Sequence, residues 1–174
     1  RIGQGGFAMF IDSHCHLTFP ELSSDLTGVL ARMQAAGVTG AMNICTTLEE
    51  FPAVLACAEA TPNIVATVGV HPDNQEVLEP DVDTLVRLAQ HPRVRAIGET
   101  GLDYFRLKEP LEWQRERFRV HIRAARACGK PLVIHTRAAA ADTLRLMREE
   151  GADQVGGVMH CFTESMEVAQ AAME

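Results

Sequence analysis

The chain has 174 residues, 47% of them hydrophobic and 22% charged, with 16 Lys and Arg against 23 Asp and Glu for a formal charge of -7. That length fits one domain of roughly 100–200 residues, and the composition excludes a disordered chain, a collagen-like fibre and a coiled coil. No apolar run approaches the roughly 20 residues of a membrane span. The acidic balance also excludes binding of nucleic acid by diffuse basic charge, so a phosphate would need a localised metal or arginine.

Residues 1–8 are glycine-rich, lack the apolar core of a signal peptide, and read as a leader or expression scar ahead of a domain over 9–174. From Met9 on, short and nearly continuous apolar runs alternate with longer helical patterns. The runs Met9–Ser13, Gly40–Cys45, Ile64–Val70, Val94–Gly98, Leu132–Thr136 and Gly156–His160 predict parallel strands covered on both faces. Between them, Asp25–Ala36, Leu48–Ala60, Asp83–Gln90, Leu111–Cys128 and Asp142–Glu149 predict helices. In the longest of these, Phe118, Ile122 and Ala125 recur at helical spacing between Arg115, Arg119 and Arg123. Thr47 with Glu50 reads as a capping box. Gly37, Gly129 and Gly151 read as left-handed C-terminal caps, and Pro131 bars the preceding helix from running on.

Such a βα repeat, seen six times, fits either an open doubly wound sheet or a (β/α)8 barrel. The first strand is followed by His14-Cys15-His16 rather than by the GxGxxG of the open class. The expected fold is therefore α/β, a TIM-type (β/α)8 barrel of which six units are present.

In such a barrel functional side chains gather at the C-terminal ends of the strands. The predicted ends are Asp12-Ser13-His14-Cys15-His16, Val70-His71-Pro72, Gly98-Glu99-Thr100-Gly101-Leu102-Asp103, His135-Thr136-Arg137 and His160-Cys161-Phe162. His14 and His16, two apart, share a face, and Asp12 lies on it one layer deeper, placed to orient a histidine. Imidazoles with a carboxylate are ligands for a catalytic divalent metal such as zinc, manganese or iron. Glu99 can bridge two ions, and ions roughly 3.5–4 Å apart can clamp both oxygens of a displacement at phosphorus. Singly, each histidine would serve as well in a core or a cap; together, at successive strand ends, they read as a metal centre. Cys15 and Cys161 are expected to point into the helix layer. His91 and His121 are expected to be structural or solvent-facing, and Arg115–Arg126 to be a solvated helix face. Five cysteines without a CxxC pair argue against a disulfide framework and for a reducing, cytoplasmic compartment.

These motifs, in this order from Met9 to the chain's end, resemble those of TatD-type metal-dependent deoxyribonucleases. The stretch Gly101-Leu102-Asp103-Tyr104-Phe105 is most similar to the broad bacterial branch of metal-dependent hydrolases. The resemblance implies an amidohydrolase-like barrel with two divalent ions (Mg2+, Zn2+ or Mn2+). His14 and His16 would hold one, His135 and His160 the other, and Glu99 would bridge them as the catalytic carboxylate. His71 and Arg137 would face the substrate, with Asp12 and Asp103 behind the ligands. The family carries a further metal-binding aspartate and two more strands past the point where this chain stops, so a longer protein is expected. The implied function is cleavage of DNA phosphodiester bonds by metal-activated hydroxide, as a 3'-5' exonuclease, by a monomer with no membrane and no obligate protein partner. One alternative is an amidohydrolase acting on a cyclic amide, lactone or phosphotriester, whose bridging ligand is often a modified lysine; here the nearest lysines, Lys108 and Lys130, lie in predicted loops. The other is a non-catalytic, incomplete fragment.

Overall fold

The computed structural model describes residues 9–107 and 111–174, so the leader read at 1–8 and the loop residue Lys108 lie outside the described residues. Among the described residues six strands form one sheet: β1 (Phe10–Cys15), β2 (Val38–Asn43), β3 (Ile64–Val68), β4 (Val94–Asp103), β5 (Leu132–Arg137) and β6 (Gly157–Met159). They pair in sequence order, and every neighbouring pair is parallel. The crossovers carry α1 (Pro20–Ser23) and α2 (Leu26–Ala35), then α3 (Phe51–Ala60), α4 (Val82–Ala89), α5 (Glu112–Cys128) and α6 (Ala140–Glu150), with α7 (Met166–Met173) after β6. A doubly wound sheet would reverse its strand order at a switch point. The unbroken order makes this an arc of a TIM-type barrel, as the βα repeat predicts.

Local chemistry explains where the elements stop. Gly129 and Gly151 close α5 and α6 with φ of 65° and 69°, and Gly37 precedes β2 with φ of 79°. The Thr47/Glu50 capping box is only half made. Thr47 Oγ1 accepts from the Glu50 N–H at 3.1 Å, but the Glu50 carboxylate does not turn back to Thr47. It accepts instead from Thr18 Oγ1 at 2.5 Å and from Thr46 N and Oγ1 at 3.1 and 2.8 Å. Tertiary partners outcompete the local cap, and Glu50 ties the loop after β1 to the loop after β2.

The main core lies between sheet and helices, where Val54, Leu85, Phe118, Ile122 and Leu146 are fully buried. Each such side chain contributes roughly 1.5–3 kcal/mol relative to exposure. A smaller cluster of Ile44, Ala96 and Val133, with Met42 against it, fills the inner face of the arc. The apolar pattern holds best in β4, which is buried throughout except at Arg95. It fails at the flanking strands β1 and β6, where Ile11 is 68% and Val158 47% exposed, because each has a sheet neighbour on one side only.

One boundary matters for the site. The apolar run predicts that the fourth strand ends at Gly98, but β4 continues to Asp103 because its ladder with β5 runs on to Asp103↔Arg137. Within it the register passes from Gly98↔Val133 to Thr100↔Ile134, leaving Glu99 as one extra residue. A bulge of this kind re-aims a side chain. Two positions later β4 comes so close to β5 that a Cβ on Gly101 would lie 2.0 Å from the His135 carbonyl oxygen.

Candidate metal centre

Glu99 stands at the centre of the mouth, its side chain 3% exposed. Five imidazoles from four strand ends surround it. Nε2 of His14 and of His16 lie 3.2 and 3.8 Å from Oε2; His71 Nε2, His135 Nδ1 and His160 Nε2 lie 3.4, 3.4 and 2.5 Å from Oε1. Burial alone would push the Glu99 carboxyl upward, but the imidazoles of His135, His14, His160 and His71 outweigh it and hold the group ionised well below the usual carboxylate range.

The outer atoms of three of these rings are anchored. His16 Nδ1 donates to the Ile44 carbonyl at 3.2 Å, His135 Nε2 donates to Asp103 Oδ2 at 2.9 Å, and His71 Nδ1 meets Asp73 Oδ1. An outer N–H fixed this way leaves the inner nitrogen as the electron-pair donor, the arrangement that prepares histidine for a metal. Burial holds the His16 pKa below its ordinary value against the pull of Glu99, which favours the neutral, ligating form. His71 goes the other way. Burial lowers it, but hydrogen bonds to Asp73 and Glu99 overcome that and raise it to about 9.

His14 supplies the observation that tests a cation directly. Both its ring nitrogens are buried and lack a hydrogen-bond partner, although Nε2 lies beside Glu99, and the ring stacks on His160 at 3.7 Å. A buried, unpartnered imidazole is costly unless something else takes its lone pair. Two groups of ligand atoms are compact enough to close on one ion each: His14, His16 and Glu99, and His71, Glu99 and His135. The donor set fits a divalent ion with nitrogen and oxygen ligands.

Of the residues read from sequence, His14, His16, His71, Glu99, His135 and His160 converge here, and Asp103 orients His135. His71, which the resemblance places toward the substrate, lies within the second group. Asp12 does not reach an imidazole; its Oδ1 accepts the His14 backbone N–H at 3.0 Å. Arg137 is exposed at the rim, its guanidinium 3.9 Å from the Phe105 ring centroid. Cys15 turns away as expected, its Sγ donating to the Met42 carbonyl, but Cys161 is exposed rather than in the helix layer. Arg115, Arg119 and Arg123 of α5 lie on its outer face and pair with glutamates, Arg115 and Arg119 with Glu112 and Arg123 with Glu116 and Glu150, but Arg117, within the stretch read as a solvated face, is buried. His91 is structural, facing Glu59, whereas His121 is fully buried. Residues that the sequence reading passed over are Asp73, Phe19 (stacked on His16 at 4.5 Å), Arg106 (paired with Asp73 at 2.8 Å), and Gln114 and Arg117 in the core. The signal for the last two was available. Gln114 and His121 fall on the same helical face as Phe118, Ile122 and Ala125, and Arg117 borders it, where a solvent-facing polar residue does not belong.

A parallel arc of a TIM-type barrel with imidazoles gathered around the buried Glu99 carboxylate at its C-terminal mouth defines a barrel protein with a candidate metal centre. Residues 11–174 match the family described as TatD related DNase, and the chain belongs to that family. It is 43% identical to the metal-dependent hydrolase YcfH of Escherichia coli over 163 residues, covering 91% of this chain and 61% of that protein. It is 34% identical to the protein named 3'-5' ssDNA/RNA exonuclease TatD of Enterobacter lignolyticus, covering 91% of this chain and 62% of that one. The crystal structure of the TatD homologue YJJV from E. coli superposes with a TM-score of 0.84 at 30% identity, covering 94% of this chain and 64% of that one. The chain thus spans less than two thirds of the length of these relatives.

Proposed function

We propose that the chain carries the metal centre of a cytoplasmic phosphodiesterase that acts on DNA as a 3'-5' exonuclease and works as a monomer. The observation that carries this reading is the pair of ligand groups sharing one buried carboxylate, Glu99. His14, His16 and Glu99 would hold one ion; Glu99, His135 and His160 would hold the second, with His71 facing the substrate. Bound divalent ions supply an activated water and neutralise charge developing on phosphate oxygens. The protein's own share is placement. Glu99 holds the pair together, Asp103 fixes the His135 ring, and Arg137 takes a non-bridging oxygen through charge-assisted bonds. The mouth is a hollow of about 340 Å³ with Arg106 and Arg137 on its rim, room for a strand end rather than a duplex. The name of the Enterobacter relative and the local positive charge support this substrate, and five free cysteines support a reducing compartment. Against a modified-lysine hydrolase, Lys130 donates its Nζ protons to the Ala89 and Val94 carbonyls, at the opposite end of β4 from Glu99.

The test is an assay of a 5'-labelled single-stranded oligonucleotide with Mg2+, Mn2+ or Zn2+. Stepwise shortening from the 3' end is expected, abolished by EDTA and by Glu99→Gln, whose metal affinity should fall at least about 100-fold, beyond the loss usual for outer-shell changes. Hydrolysis of a lactone or phosphotriester without cleavage of oligonucleotide would overturn the assignment.

A further inference from the structure

The hollow at the mouth is polar almost throughout. Among the described residues that line it, Phe19 is the one side chain without a polar atom. It lies on the loop after β1 and is 39% exposed. That stretch of chain can bury apolar groups, since Leu17 is 2% exposed and Leu22 packs against the core. Phe19 is held out instead, and its backbone has little freedom. Its N–H donates to the His16 carbonyl at 3.1 Å, and its carbonyl accepts the Leu22 and Ser23 N–H groups at 2.9 and 2.8 Å. Pro20 opens α1 directly after it, and Thr18 before it is tied to the Glu50 carboxylate.

The Phe19 ring lies against His16, with centroids 4.5 Å and planes 15° apart. His16 Nε2 in turn lies 3.8 Å from Glu99 Oε2. An aromatic wall thus stands one imidazole away from the carboxylate at the centre of the mouth. Phe105 at the rim instead carries the Arg137 guanidinium, at 3.9 Å. In a nucleotide one sugar separates phosphate from base. A strand end with its last phosphodiester over Glu99 therefore brings a base to the wall beside it. Every base has a π-face to lay on such a ring, whatever the sequence. An unpaired terminal base turns onto it at little cost, whereas a paired one must first leave its partner and its stack. A platform already fixed by its backbone also loses little freedom on binding.

We propose that Phe19 is the platform of a subsite for the unpaired terminal nucleobase of a single strand, so that the mouth recognises a 3' end by its base as well as its phosphate. This rests on the exonuclease reading above and deepens it. The experiment is fluorescence anisotropy in Mn2+ with two 5'-fluorescein oligothymidylates, whose last linkage is a phosphorothioate to slow cleavage. One ends in thymidine and the other in a tetrahydrofuran nucleotide that has no base. The parent is expected to bind the base-bearing end roughly 5–100-fold more tightly, the worth of one base on an aromatic ring. Phe19→Leu keeps apolar bulk against His16 without the π-face and should bring that ratio close to one. Phe19→Trp should preserve it. A ratio of one in the parent would overturn the subsite, as would an undiminished ratio in Phe19→Leu. Equal losses on both oligonucleotides in Phe19→Leu, with weaker Mn2+ binding by calorimetry, would also overturn it and make Phe19 a support for His16. If the parent bound neither oligonucleotide, the exonuclease reading would fall and this proposal with it.

Discussion

Glu99 shows how a single residue organises a site. A buried carboxylate costs several kcal/mol of desolvation unless strongly compensated, and here the compensation comes from five imidazoles at four strand ends, three of them anchored elsewhere. Arg137 is its counterpart at the rim, a charge held against Phe105 in the open. If it receives phosphate, Arg137→Ala should raise KM for oligonucleotide with a smaller change in kcat, and lower kcat/KM roughly 10–100-fold, the worth of a charged hydrogen bond of about 1.5–3 kcal/mol. Arg137→Lys should restore only part of this, since an ammonium cannot offer the planar fork. Steady-state kinetics on one oligonucleotide decides it, and unchanged KM in both variants would remove Arg137 from the substrate site. The identity of these residues was legible in sequence because strand ends in a βα repeat are where a barrel puts its chemistry. Asp12 was misread for a related reason. Alternation does not say which hydrogen bond a carboxylate makes, and the donor that Asp12 meets is the His14 backbone N–H.

Among the elements, α5 carries the most information. Its outer face is an ion-pair lattice of the exposed kind, where each pair contributes about 0.3–0.5 kcal/mol, and its inner face joins apolar packing to the backbone of two loops. Buried His121 makes a pH prediction. Burial lowers its pKa from the ordinary 6.5 to about 4, with Arg117 and Glu79 as the charged neighbours. The unfolded chain therefore binds a proton at a higher pH than the folded one. The resulting stability is fully present above pH 6.5 and is lost as the pH falls toward 4, on the order of 3 kcal/mol in all. In urea unfolding with EDTA present, His121→Gln should flatten this acid-side loss relative to the parent; parallel curves would mean His121 is not the group that titrates. The sequence reading left His121, inside the longest helix, as either structural or solvent-facing, and its buried, hydrogen-bonded ring is the structural case. Only packing against β3 and β4 shows which side of α5 is inside.

At the largest scale, the six described strands form a sheet with two edges. β1 and β6 do not meet, and a cleft of about 520 Å³ lined by Leu132, Ile134, Met147, Val158 and Phe162 opens between β5, β6, α6 and α7. Unpaired strand edges beside apolar surface favour association. The 174-residue chain by itself should therefore self-associate with concentration in sedimentation velocity, and Val158→Lys on β6 should reduce that association. A concentration-independent monomer would show that the edges are covered in some other way.

What the sequence determined alone was periodic or local. Apolar runs of strand length alternating with helical stripes gave the barrel class, and glycines after helical patterns gave the caps. Chemistry-bearing residues at successive run ends gave the candidate ligands, because each of these follows from a spacing of a few residues. What only the tertiary structure decided was long-range. The ladder with β5 carried β4 past Gly98 and bulged it at Glu99. The loop after β1 took Glu50 from its local cap. The loops after β3 and β4 turned Gln114, Arg117 and His121 inward. In each case a partner distant in sequence offered a buried polar group a bond that its neighbours could not, and the cost of leaving such a group unpaired settled the outcome.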